Sequence, residues 1–418
     1  MQKLLNNGKK ELIGKISISG SKNATLPILA ATILSNQVKL TNIPLVKDIF
    51  TMVELLRFIG LKTKILKKKN TIEVKNLNKN NKPLAPYNLV KTMRAGVLVL
   101  GPLLAKHKTA KISLPGGCAI GTRPVNLHLF ALKKLGAKIK IKNGYIIAQA
   151  KNGLKGTNIT FPSISVGATE NAILAAFNAK GKTTLNNCAI EPEVKELVKF
   201  LNKLGGKIKI DKRKIIVIGS KKIKKKIIHK IIFDRIELGT YMIAAALVGK
   251  KIIFSKVKSR IIQNEINVLK KMGVKLKVQK NTIEILKSDN IKKINISTKP
   301  YPGFPTDLQA QLMVLTTRAQ GISRIKESIF ENRFMHVPEL KRMGANIEIK
   351  NKTAIIQGPS KLTGAEVMAT DLRASVSLVL AGLVADNRTI INRIYHLDRG
   401  YEFLEKKLKN CKARIKRI

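Results

Sequence analysis

The sequence predicts an α/β protein made of six repeated units of about 70 residues, divided into two halves of three units each. One observation behind this prediction is a recurring pattern in which an apolar helix end is followed by a glycine and then by alternating apolar and polar residues. Another is that each unit opens with a strand, a polar turn and an apolar helix, as in ITFPSISVGATENAILAA and MATDLRASVSLVLAGL. The glycines of the pattern are Gly60, Gly136, Gly205, Gly273 and Gly344.

Each of these glycines marks the place where a unit turns from helix to strand. The residue after a last helical turn often adopts a left-handed conformation, which glycine takes without strain. The alternation that follows, such as KIKIK after Gly136, is typical of a strand with one buried face. A turn such as Asn143-Gly144 then leads into a second strand, because Asn-Gly between alternating runs favours a hairpin. Each unit therefore ends as helix, strand, turn and strand.

The sixth unit departs from this pattern in two ways. Lys412 stands where the other units have glycine, and the sequence stops after ARIKRI, before a second strand. We expect the residues near Gln2 to Leu5 to supply the missing strand. The predicted domains are then residues 22–231, which carry the first three units, and residues 1–21 with 232–418, which carry the other three.

Composition bounds the possible functions. The chain has 418 residues, of which 44% are hydrophobic, and this suits a globular protein of two or three domains and excludes a disordered one. Its net charge of +55 raises the possibility of nucleic-acid binding. However, lysine is spread along the whole chain, aromatic residues make up only 4% and tryptophan is absent, so stacking platforms for bases are missing. The favoured interpretation is a lysine-coated surface with no specific nucleic-acid partner.

Cysteine usage and the apolar stretches favour a cytoplasmic location. Cys118, Cys188 and Cys411 are far apart and form no CxxC pair, which is typical of a reducing compartment. The N-terminal segment MQKLLNNGKKELIG lacks the apolar core of a secretory signal. The longest apolar stretches, residues 96–105 and 374–385, are too short to cross a bilayer. We therefore expect no membrane association.

The most unusual segment is SLPGGCAIGTRPV, residues 113–125. A glycine-rich loop can move as a lid and approach a ligand closely, and Arg123 would favour the thiolate of Cys118. The alternative is a buried structural cysteine, the usual role of a lone cysteine. Cys411 illustrates that alternative, because it occupies a slot of the repeat that is apolar elsewhere. Cys188 has no glycine-rich context either, so Cys118 is the candidate reactive thiol.

Polar residues at the starts of helices are further candidates. Lys22 and Asn23 in SGSKNA come just before an apolar helix, where backbone N–H groups can bind an anion, although a simple Ser or Asn cap explains the segment equally well. Asp234, Asp307 and Asp371 also fall at helix starts, where the helix dipole favours an acidic residue. One of the three could instead be a general base, and their spacing does not say which.

Several arginines stand out in a chain that prefers lysine. A retained arginine suggests forked contact with a carboxylate or phosphate, and ordinary ion pairing is the alternative. These residues are Arg94, Arg123, Arg333, Arg373 and Arg399. The GKT at residues 181–183 lacks the upstream glycine of a P-loop, no GxGxxG is present, and the five histidines form no metal-ligand pair. The sequence therefore predicts neither a cofactor nor a metal.

Over essentially its full length, the chain resembles the UDP-N-acetylglucosamine enolpyruvyl transferases (1-carboxyvinyltransferases). The segments that carry the resemblance are SGSKNATLPIL, PYNLVKTMRAG, SLPGGCAIGTRPVNLH, SVGATEN, DRIELGT, FPTDLQAQ, IFENRFMHVPEL, VMATDLRAS and IYHLDRGYE. The resemblance implies a two-domain inside-out α/β barrel with three units per domain, helices inside and sheets outside. It also implies transfer of the enolpyruvyl group of phosphoenolpyruvate to the 3-hydroxyl of UDP-N-acetylglucosamine with release of phosphate. This is the first committed step of peptidoglycan synthesis.

The resemblance further implies roles for individual residues. Cys118 is the lid thiol that donates a proton, Asp307 is the general base near the sugar hydroxyl, and Lys22 and Arg399 complete the catalytic set. Lys22, Arg123 and Arg399 hold the phosphate and carboxylate of phosphoenolpyruvate. The residues implied to contact the substrates or line their cleft are Lys22, Asn23, Arg94, Arg123, Pro124, Val125, Asn126, Leu127, Ser163, Ile164, Ser165, Val166, Asp307, Ile329, Arg333, Asp371, Arg373 and Arg399. Because these residues come from both halves, the implied mechanism requires the halves to close together.

Two positions depart from the family pattern. Ser163 stands where some relatives have lysine and Asn126 replaces the more usual aspartate, which bears on nucleotide affinity but not on the acid or the base. An alternative is the shikimate-pathway enolpyruvyl transferase, which lacks the GGCAIG lid. Another is a basic polyanion-binding protein that has lost catalysis, against which the intact candidate catalytic residues argue. The expected partners are the two small-molecule substrates, and the chain is expected to act as a monomer.

Overall fold

The computed structural model describes residues 2–76, 82–115, 125–220 and 223–418. The described residues form two compact units. The central unit contains those between Gly20 and Ile232, and the terminal unit contains those up to Ser19 together with Phe233–Ile418. The chain therefore passes from one unit to the other twice, once near each boundary.

The strands form six four-stranded sheets in the described residues, three in each unit. They are β1 (Leu4–Asn7), β2 (Leu12–Ile16), β3 (Gln37–Thr41), β4 (Lys62–Leu66), β5 (Thr71–Lys75), β6 (Leu84–Ala85), β7 (Thr109–Ser113), β8 (Lys138–Lys142), β9 (Tyr145–Gln149), β10 (Asn158–Thr160), β11 (Lys182–Asn186), β12 (Lys207–Asp211), β13 (Lys214–Ile218), β14 (Lys226–Lys230), β15 (Gly249–Ser255), β16 (Leu276–Val278), β17 (Thr282–Leu286), β18 (Asn295–Ser297), β19 (Gly321–Lys326), β20 (Asn346–Lys350), β21 (Thr353–Gly358), β22 (Glu366–Met368), β23 (Arg388–Asn392) and β24 (Arg414–Arg417).

The helices connect these strands. They are α1 (Lys22–Ala31), α2 (Lys47–Ile59), α3 (Tyr87–Val90), α4 (Leu100–His107), α5 (Asn126–Lys134), α6 (Val166–Ala176), α7 (Pro192–Leu204), α8 (Arg235–Val248), α9 (Gln263–Lys271), α10 (Gln309–Thr316), α11 (Val337–Arg342), α12 (Leu372–Val384) and α13 (Leu404–Asn410). Short 3₁₀ helices cover Thr32–Leu34, Lys67–Lys69, Arg94–Val99, Ser259–Ile262, Thr306–Leu308 and Ile394–Arg399.

All six sheets share one topology. In the sheet β6-β7-β9-β8, the first two strands are parallel, and both β7 and β8 are antiparallel to β9. The hairpin between β8 and β9 turns at Asn143 and Gly144, which both have positive φ, as an Asn-Gly turn between two strands requires. The repeat predicted from the sequence is therefore a repeat of one small sheet with its helices.

Strands that are distant in sequence complete several sheets. β1 lies between β23 and β24 and is antiparallel to both, so that Leu4 is opposite Ile391 on one side and Arg417 on the other. β2 pairs in parallel with β15 in the terminal unit. In the central unit, β14 pairs in parallel with β3 in the same way.

The inner helices are enclosed on every side. All residues of α10 are buried, and α12 buries every residue except Leu372. In the terminal unit α8, α10 and α12 pack against one another, and in the central unit α6 packs against α1 and α4. Helices that are apolar all round have no face to offer to water and must lie in the interior.

The sheets form the outside of each unit. Along β12 the isoleucine Ile208 is buried, while Lys207 and Lys209 on either side of it are exposed. This alternation places the abundant lysines in water and the isoleucines against the inner helices. The predicted fold class, with helices inside and sheets outside, is confirmed. Each unit is built from separate sheets and not from one closed ring of strands in the part of the chain that is described. No described helix is both long and apolar enough to span a membrane.

The glycines of the repeat adopt the left-handed conformation that was predicted for them. The φ angles of Gly60, Gly136, Gly205, Gly273 and Gly344 lie between 81° and 116°. Lys412, at the same place in the sixth unit, also has a positive φ of 74°. The repeat thus imposes one backbone conformation on this position even where the residue is not glycine.

We predict that Lys412→Gly stabilises the terminal unit. A non-glycine residue in the left-handed region is strained by roughly 1–2 kcal/mol, and the more flexible unfolded chain of the variant offsets part of the gain. The expected increase in the free energy of unfolding is about 0.5–1 kcal/mol, measured by urea denaturation. The control is Gly136→Ala, because an added methyl group there meets no atom within 4 Å and any loss is conformational. Destabilisation by Lys412→Gly would contradict the explanation.

Candidate active site

The carboxylate of Asp307 lies between two buried guanidinium groups. Asp307 belongs to the 3₁₀ turn Thr306–Leu308, which leads directly into α10. Its Oδ1 accepts a hydrogen bond from Nη2 of Arg333 at 2.8 Å, and its Oδ2 accepts one from Nη2 of Arg373 at 2.9 Å. The side chain of Asp307 is 27% exposed, whereas those of Arg333 and Arg373 are 6% and 7% exposed. Two buried cations therefore orient a carboxylate that solvent can reach.

Arg373 also belongs to a buried hydrogen-bond network. Its Nη1 donates to the hydroxyl of Tyr401 at 2.9 Å, and that hydroxyl lies 2.9 Å from Oγ1 of Thr240 on α8. Nε2 of Gln311 lies within hydrogen-bond distance of the Tyr401 hydroxyl and of the Asp307 carbonyl oxygen, at 3.2 and 2.9 Å. Burial alone would lower the pKa of Arg373, but the nearby Asp307 carboxylate and Tyr401 raise it overall, so this side chain stays charged. We call Asp307, Arg333, Arg373, Gln311 and Tyr401 the Asp307 cluster.

The three aspartates that the sequence placed at helix starts have different tasks. Oδ1 of Asp234 accepts from the backbone N–H groups of Ile236 and Glu237 and caps α8. Oδ1 of Asp371 accepts from the N–H groups of Arg373 and Ala374 and caps α12. Asp307 lies inside the 3₁₀ turn Thr306–Leu308, whose cap position is Pro305, and so does not hold a cap position. Its carboxylate contacts the two arginines instead, which singles it out among the three as the candidate base.

Lys22 in the central unit lies at the first position of α1. The cap of this helix is Ser21, whose Oγ accepts from the N–H of Ala24 at 3.2 Å. The ammonium group of Lys22 is 3.2 Å from Oδ2 of Asp48, at the start of α2, and both side chains are buried. Asn23 is half-buried next to Lys22. The start of α1 therefore has the serine cap that was the alternative explanation, with the charge of Lys22 paired to Asp48, and the anion site stays a prediction.

His128 on α5 brings several predicted substrate contacts together. Its Nδ1 lies 3.1 Å from Nδ2 of Asn171 on α6, so Nδ1 accepts and the proton of the neutral ring is on Nε2. The ring packs against Gly167, where an added Cβ would lie 3.1 Å from Cε1. Burial, and next the charge of Arg94, lower the pKa of His128 to about 3. The imidazole is therefore a neutral packing element and no proton carrier near neutral pH.

This packing joins three predicted segments in one surface of the central unit. Asn171 connects them, because its Nδ2 donates to Val97 O at 3.0 Å and its Oδ1 accepts from the N–H of Gly101 at 2.7 Å. Ser165 caps α6 through the N–H of Ala168. We call the following residues the α5–α6 surface: Arg94, Val125, Asn126, Leu127, Ser163, Ile164, Ser165 and Val166. Among them, Asn126, Ser163 and Val166 are exposed and Val125 is buried.

Two further candidates lie close in sequence to members of the Asp307 cluster. Arg399 is the half-buried last residue of the 3₁₀ helix Ile394–Arg399, two residues before Tyr401. Its charge, after burial, lowers the pKa of the nearby His396. Ile329 is partly exposed and precedes Arg333 by four residues. Its backbone N–H donates to Oε1 of Glu327 at 2.8 Å.

The sequence matches the EPSP synthase (3-phosphoshikimate 1-carboxyvinyltransferase) family model over residues 6–408. The chain is 58% identical to the UDP-N-acetylglucosamine 1-carboxyvinyltransferase of Pelagibacter ubique (strain HTCC1062). It is 49% identical to the protein of that name from Rickettsia prowazekii (strain Madrid E). Both matches cover 100% of each chain. The chain belongs to the UDP-N-acetylglucosamine 1-carboxyvinyltransferase family of enolpyruvyl transferases.

Solved structures of other enolpyruvyl transferases share the fold. The enolpyruvyl transferase NikO from Streptomyces tendae superposes with a TM-score of 0.89 at 23% identity, covering 100% of this chain and 98% of that one. An EPSP synthase from Acinetobacter baumannii superposes with a TM-score of 0.76 at 18% identity over 100% of both chains. These matches concern the fold alone.

Some predicted site residues of this enolpyruvyl transferase lie outside the described residues, namely Cys118, Arg123 and Pro124. The described residues include two cysteines, Cys188 and Cys411, and both are buried. Burial raises the pKa of both thiols, that of Cys188 to about 12. Cys411 therefore has the core position that its apolar slot predicted. No group of His, Cys, Asp or Glu side chains is arranged to hold a metal ion in the described ranges.

Sequence reasoning missed several residues of the candidate site. Gln311, Tyr401 and Asn171 lie within segments that carry the family resemblance, but no pattern singled them out. Asp48 lies outside those segments, and its only signal is an acidic residue in the first turn of a helix. The structure identifies each of them by a buried contact with a predicted site residue or with the chain segment around one.

We predict that a maleimide reagent labels Cys118 in the native protein and leaves Cys188 and Cys411 unmodified. Burial and a raised pKa keep both of the latter thiols protonated and out of reach. Peptide mass spectrometry after brief labelling at neutral pH measures the outcome. The control is Cys118→Ser, which should incorporate no label until it is unfolded. Native labelling of Cys188 would contradict the prediction.

We predict that protonation of the unfolded state at His128 destabilises the central unit in acid. The pKa in the unfolded chain is near 6.5 and that in the folded unit is about 3, so below pH 6.5 the unfolded chain binds the proton first. The contribution of the neutral His128 to the free energy of unfolding is complete above pH 6.5 and is lost as the pH falls toward 3. His128→Asn lacks this titration. The difference in free energy of unfolding between the wild-type protein and this variant should therefore shrink as the pH is lowered. An NMR titration of His128 with an ordinary pKa would disprove the assignment.

Proposed function

We propose that the protein transfers the enolpyruvyl group of phosphoenolpyruvate to the 3-hydroxyl of UDP-N-acetylglucosamine with release of phosphate. The observation that carries this proposal is 58% identity, over the whole of both chains, to a relative named for that activity. The reaction is the first committed step of peptidoglycan synthesis. The residues of the Asp307 cluster and of the start of α1 supply groups of the kind that this chemistry needs.

The acceptor hydroxyl needs a base, and we assign that role to Asp307. A sugar hydroxyl is a weak nucleophile until its proton is removed, so a carboxylate must lie at hydrogen-bond distance from it. The ion pairs to Arg333 and Arg373 fix both oxygens of Asp307, and the side chain is still partly exposed. When Asp307 takes the proton its own charge is lost. The two guanidinium groups then remain to stabilise negative charge on the sugar oxygen.

The enol carbon needs an acid, and we assign that role to Cys118. Proton donation from its thiol to C3 of phosphoenolpyruvate makes C2 electrophilic, and the sugar oxygen then forms its bond to C2. The thiolate left on Cys118 takes a proton back from C3 while the C2–O bond to phosphate breaks, which restores the double bond and releases phosphate. The assignment of Cys118 rests on the family resemblance of the segment SLPGGCAIGTRPV.

The anionic groups of both substrates need cations. We assign Lys22, Arg123 and Arg399 to the phosphate and carboxylate of phosphoenolpyruvate, because arginine forks and lysine point charges both suit such groups. The α5–α6 surface, with Asn23, Asp307 and Ile329, is assigned to UDP-N-acetylglucosamine. Asp371 is assigned to the cleft wall, where it fixes the start of the helix that carries Arg373. A cytoplasmic location and a monomeric state are part of the proposal.

The test is an assay of phosphate release. Wild-type protein should release phosphate from phosphoenolpyruvate only when UDP-N-acetylglucosamine is present. Asp307→Asn should lower kcat by about 10²–10⁴-fold, the range for loss of a general base. It should also lower the unfolding temperature, because the buried guanidinium groups of Arg333 and Arg373 lose their shared carboxylate, so circular dichroism must show that the variant is folded at the assay temperature. The matched control is Asp211→Asn, because Asp211 is exposed on β12 and should be replaceable without effect.

A second acceptor and a DNA-binding measurement separate the alternatives. Release of phosphate with shikimate 3-phosphate instead of UDP-N-acetylglucosamine would assign the chain to the shikimate-pathway reaction. Absence of turnover with either acceptor, together with salt-resistant and sequence-selective DNA binding, would favour the polyanion-binding protein. Binding through the lysine-coated surface alone should be independent of sequence and weaken steeply with salt.

A further inference from the structure

In two of the six sheets, one position of the repeat holds an asparagine that ties two strand ends together. This is the residue directly after the second strand of a sheet. Asn42 follows β3, and its Nδ2 donates to Ile231 O, just past the parallel neighbour β14, at 2.9 Å. Asn187 follows β11, and its Nδ2 donates to Phe161 O, just past the parallel neighbour β10, at 2.8 Å. Both asparagines have positive φ angles, 59° and 54°.

Glu327 holds this position after β19, and it differs from these two asparagines in charge and conformation. It does not adopt the left-handed backbone, and it is 1% exposed. Its Oε1 accepts from Oγ1 of Thr298, which lies just past the parallel neighbour β18, at 2.9 Å. The tie between strand ends is therefore retained with the donor and acceptor exchanged.

The carboxylate of Glu327 accepts three more hydrogen bonds, and these serve other segments. Oε2 accepts from Oγ1 of Thr306 at 2.8 Å, and Oε1 accepts from the N–H groups of Ile329 and Phe330 at 2.8 and 3.1 Å. A strand tie needs only one hydrogen bond, as Asn42 and Asn187 illustrate. The additional bonds therefore require another explanation.

The extra partners all lie next to the Asp307 cluster. Thr306 directly precedes Asp307 in its 3₁₀ turn. The ring of Phe330 lies 5.2 Å from the guanidinium of Arg333, which in turn donates to Oδ1 of Asp307. Thus one buried carboxylate fixes the turn that carries Asp307 and the segment that leads to its partner Arg333. Buried, hydrogen-bonded side chains of this kind hold reacting groups within a fraction of an ångström.

We propose that Glu327 is a positioning residue that sets the geometry of Asp307 against the acceptor sugar. This inference rests on the proposed function. Through Thr306 it fixes the backbone of Asp307, and through Ile329 and Phe330 it fixes the segment assigned to the nucleotide sugar and the approach of Arg333. Displacement of a reacting group by about 1 Å can lower a rate by about 10²-fold, so these hydrogen bonds bear on turnover as well as on stability.

Two isosteric variants separate positioning from strand tying. Thr306→Val and Thr298→Val each remove one hydroxyl that donates to Glu327, and Thr298→Val also removes the acceptor of the Ser328 N–H, but only Thr306 adjoins Asp307. We expect Thr306→Val to lower kcat by about 10-fold or more, with little change in the KM for UDP-N-acetylglucosamine. Thr298→Val should lower the unfolding temperature and keep kcat close to the wild-type value. Both are measured by phosphate release and thermal unfolding.

Substitution of Glu327 itself gives a second readout. Glu327→Ala loses every tie and should lower kcat by about 10²-fold and raise the KM for UDP-N-acetylglucosamine. Glu327→Gln should restore most of the activity, because its carbonyl oxygen can accept from the N–H groups of Ile329 and Phe330 while its amide donates to Thr306. If Glu327→Ala does not fold, Thr306→Val still decides the question.

The outcomes distinguish the two proposals. An active wild-type protein with equal losses of kcat in Thr306→Val and Thr298→Val, or with no loss in either, would overturn the positioning role and leave the proposed function intact. An inactive wild-type protein would overturn the proposed function and this inference with it. A selective loss of kcat in Thr306→Val supports both.

Discussion

The fold depends on enclosing helices that have no polar face. α10 and nearly all of α12 are buried, and the same holds for α1 and α8 apart from a few residues. One four-stranded sheet cannot surround such a helix, so three repeats in each unit cooperate to cover their inner helices. The sheets then present one face to the helices and the other to water, which explains why their strands alternate isoleucine with lysine.

This arrangement concentrates candidate site residues at the starts of the inner helices. Lys22 begins α1, Ser163–Val166 lead into α6, Asp307 precedes α10, and Arg373 lies in the first turn of α12. Each follows the strand-to-helix turn of its repeat, where the first backbone N–H groups have no acceptor within the helix and the helix dipole favours anions. A fold that buries its helices therefore offers turns, and not helix faces, for polar chemistry. That suits substrates which carry phosphate and carboxylate groups.

The lysines and arginines, which number 80 and give the chain its net charge of +55, occupy two kinds of place. Lysines such as Lys207 and Lys209 lie on the outward faces of strands, where water solvates each ammonium group. Arg333 and Arg373 are buried on either side of the Asp307 carboxylate. A planar guanidinium keeps its charge and can pair with a carboxylate while it stacks on an aromatic ring, which is Phe330 for Arg333 and Tyr401 for Arg373. The bias toward arginine at these places was readable in the sequence, although the partners were not.

The sequence by itself determined the repeat, its glycine turns and the family, since periodicity and local conformation are properties of neighbouring residues. Local spacing did not distinguish Asp234, Asp307 and Asp371, which look alike because each stands at a helix start, and only the family resemblance implied that Asp307 is the base. Only the tertiary structure assigns two of them to caps and the third to Arg333 and Arg373, residues 26 and 66 positions away in sequence. No sequence pattern singled out Glu327 either, because its hydrogen bonds to Thr298, Thr306 and Phe330 join segments that are separate in sequence. Contacts between distant segments exist only once the helices are enclosed, and these contacts decide which of several similar residues can act.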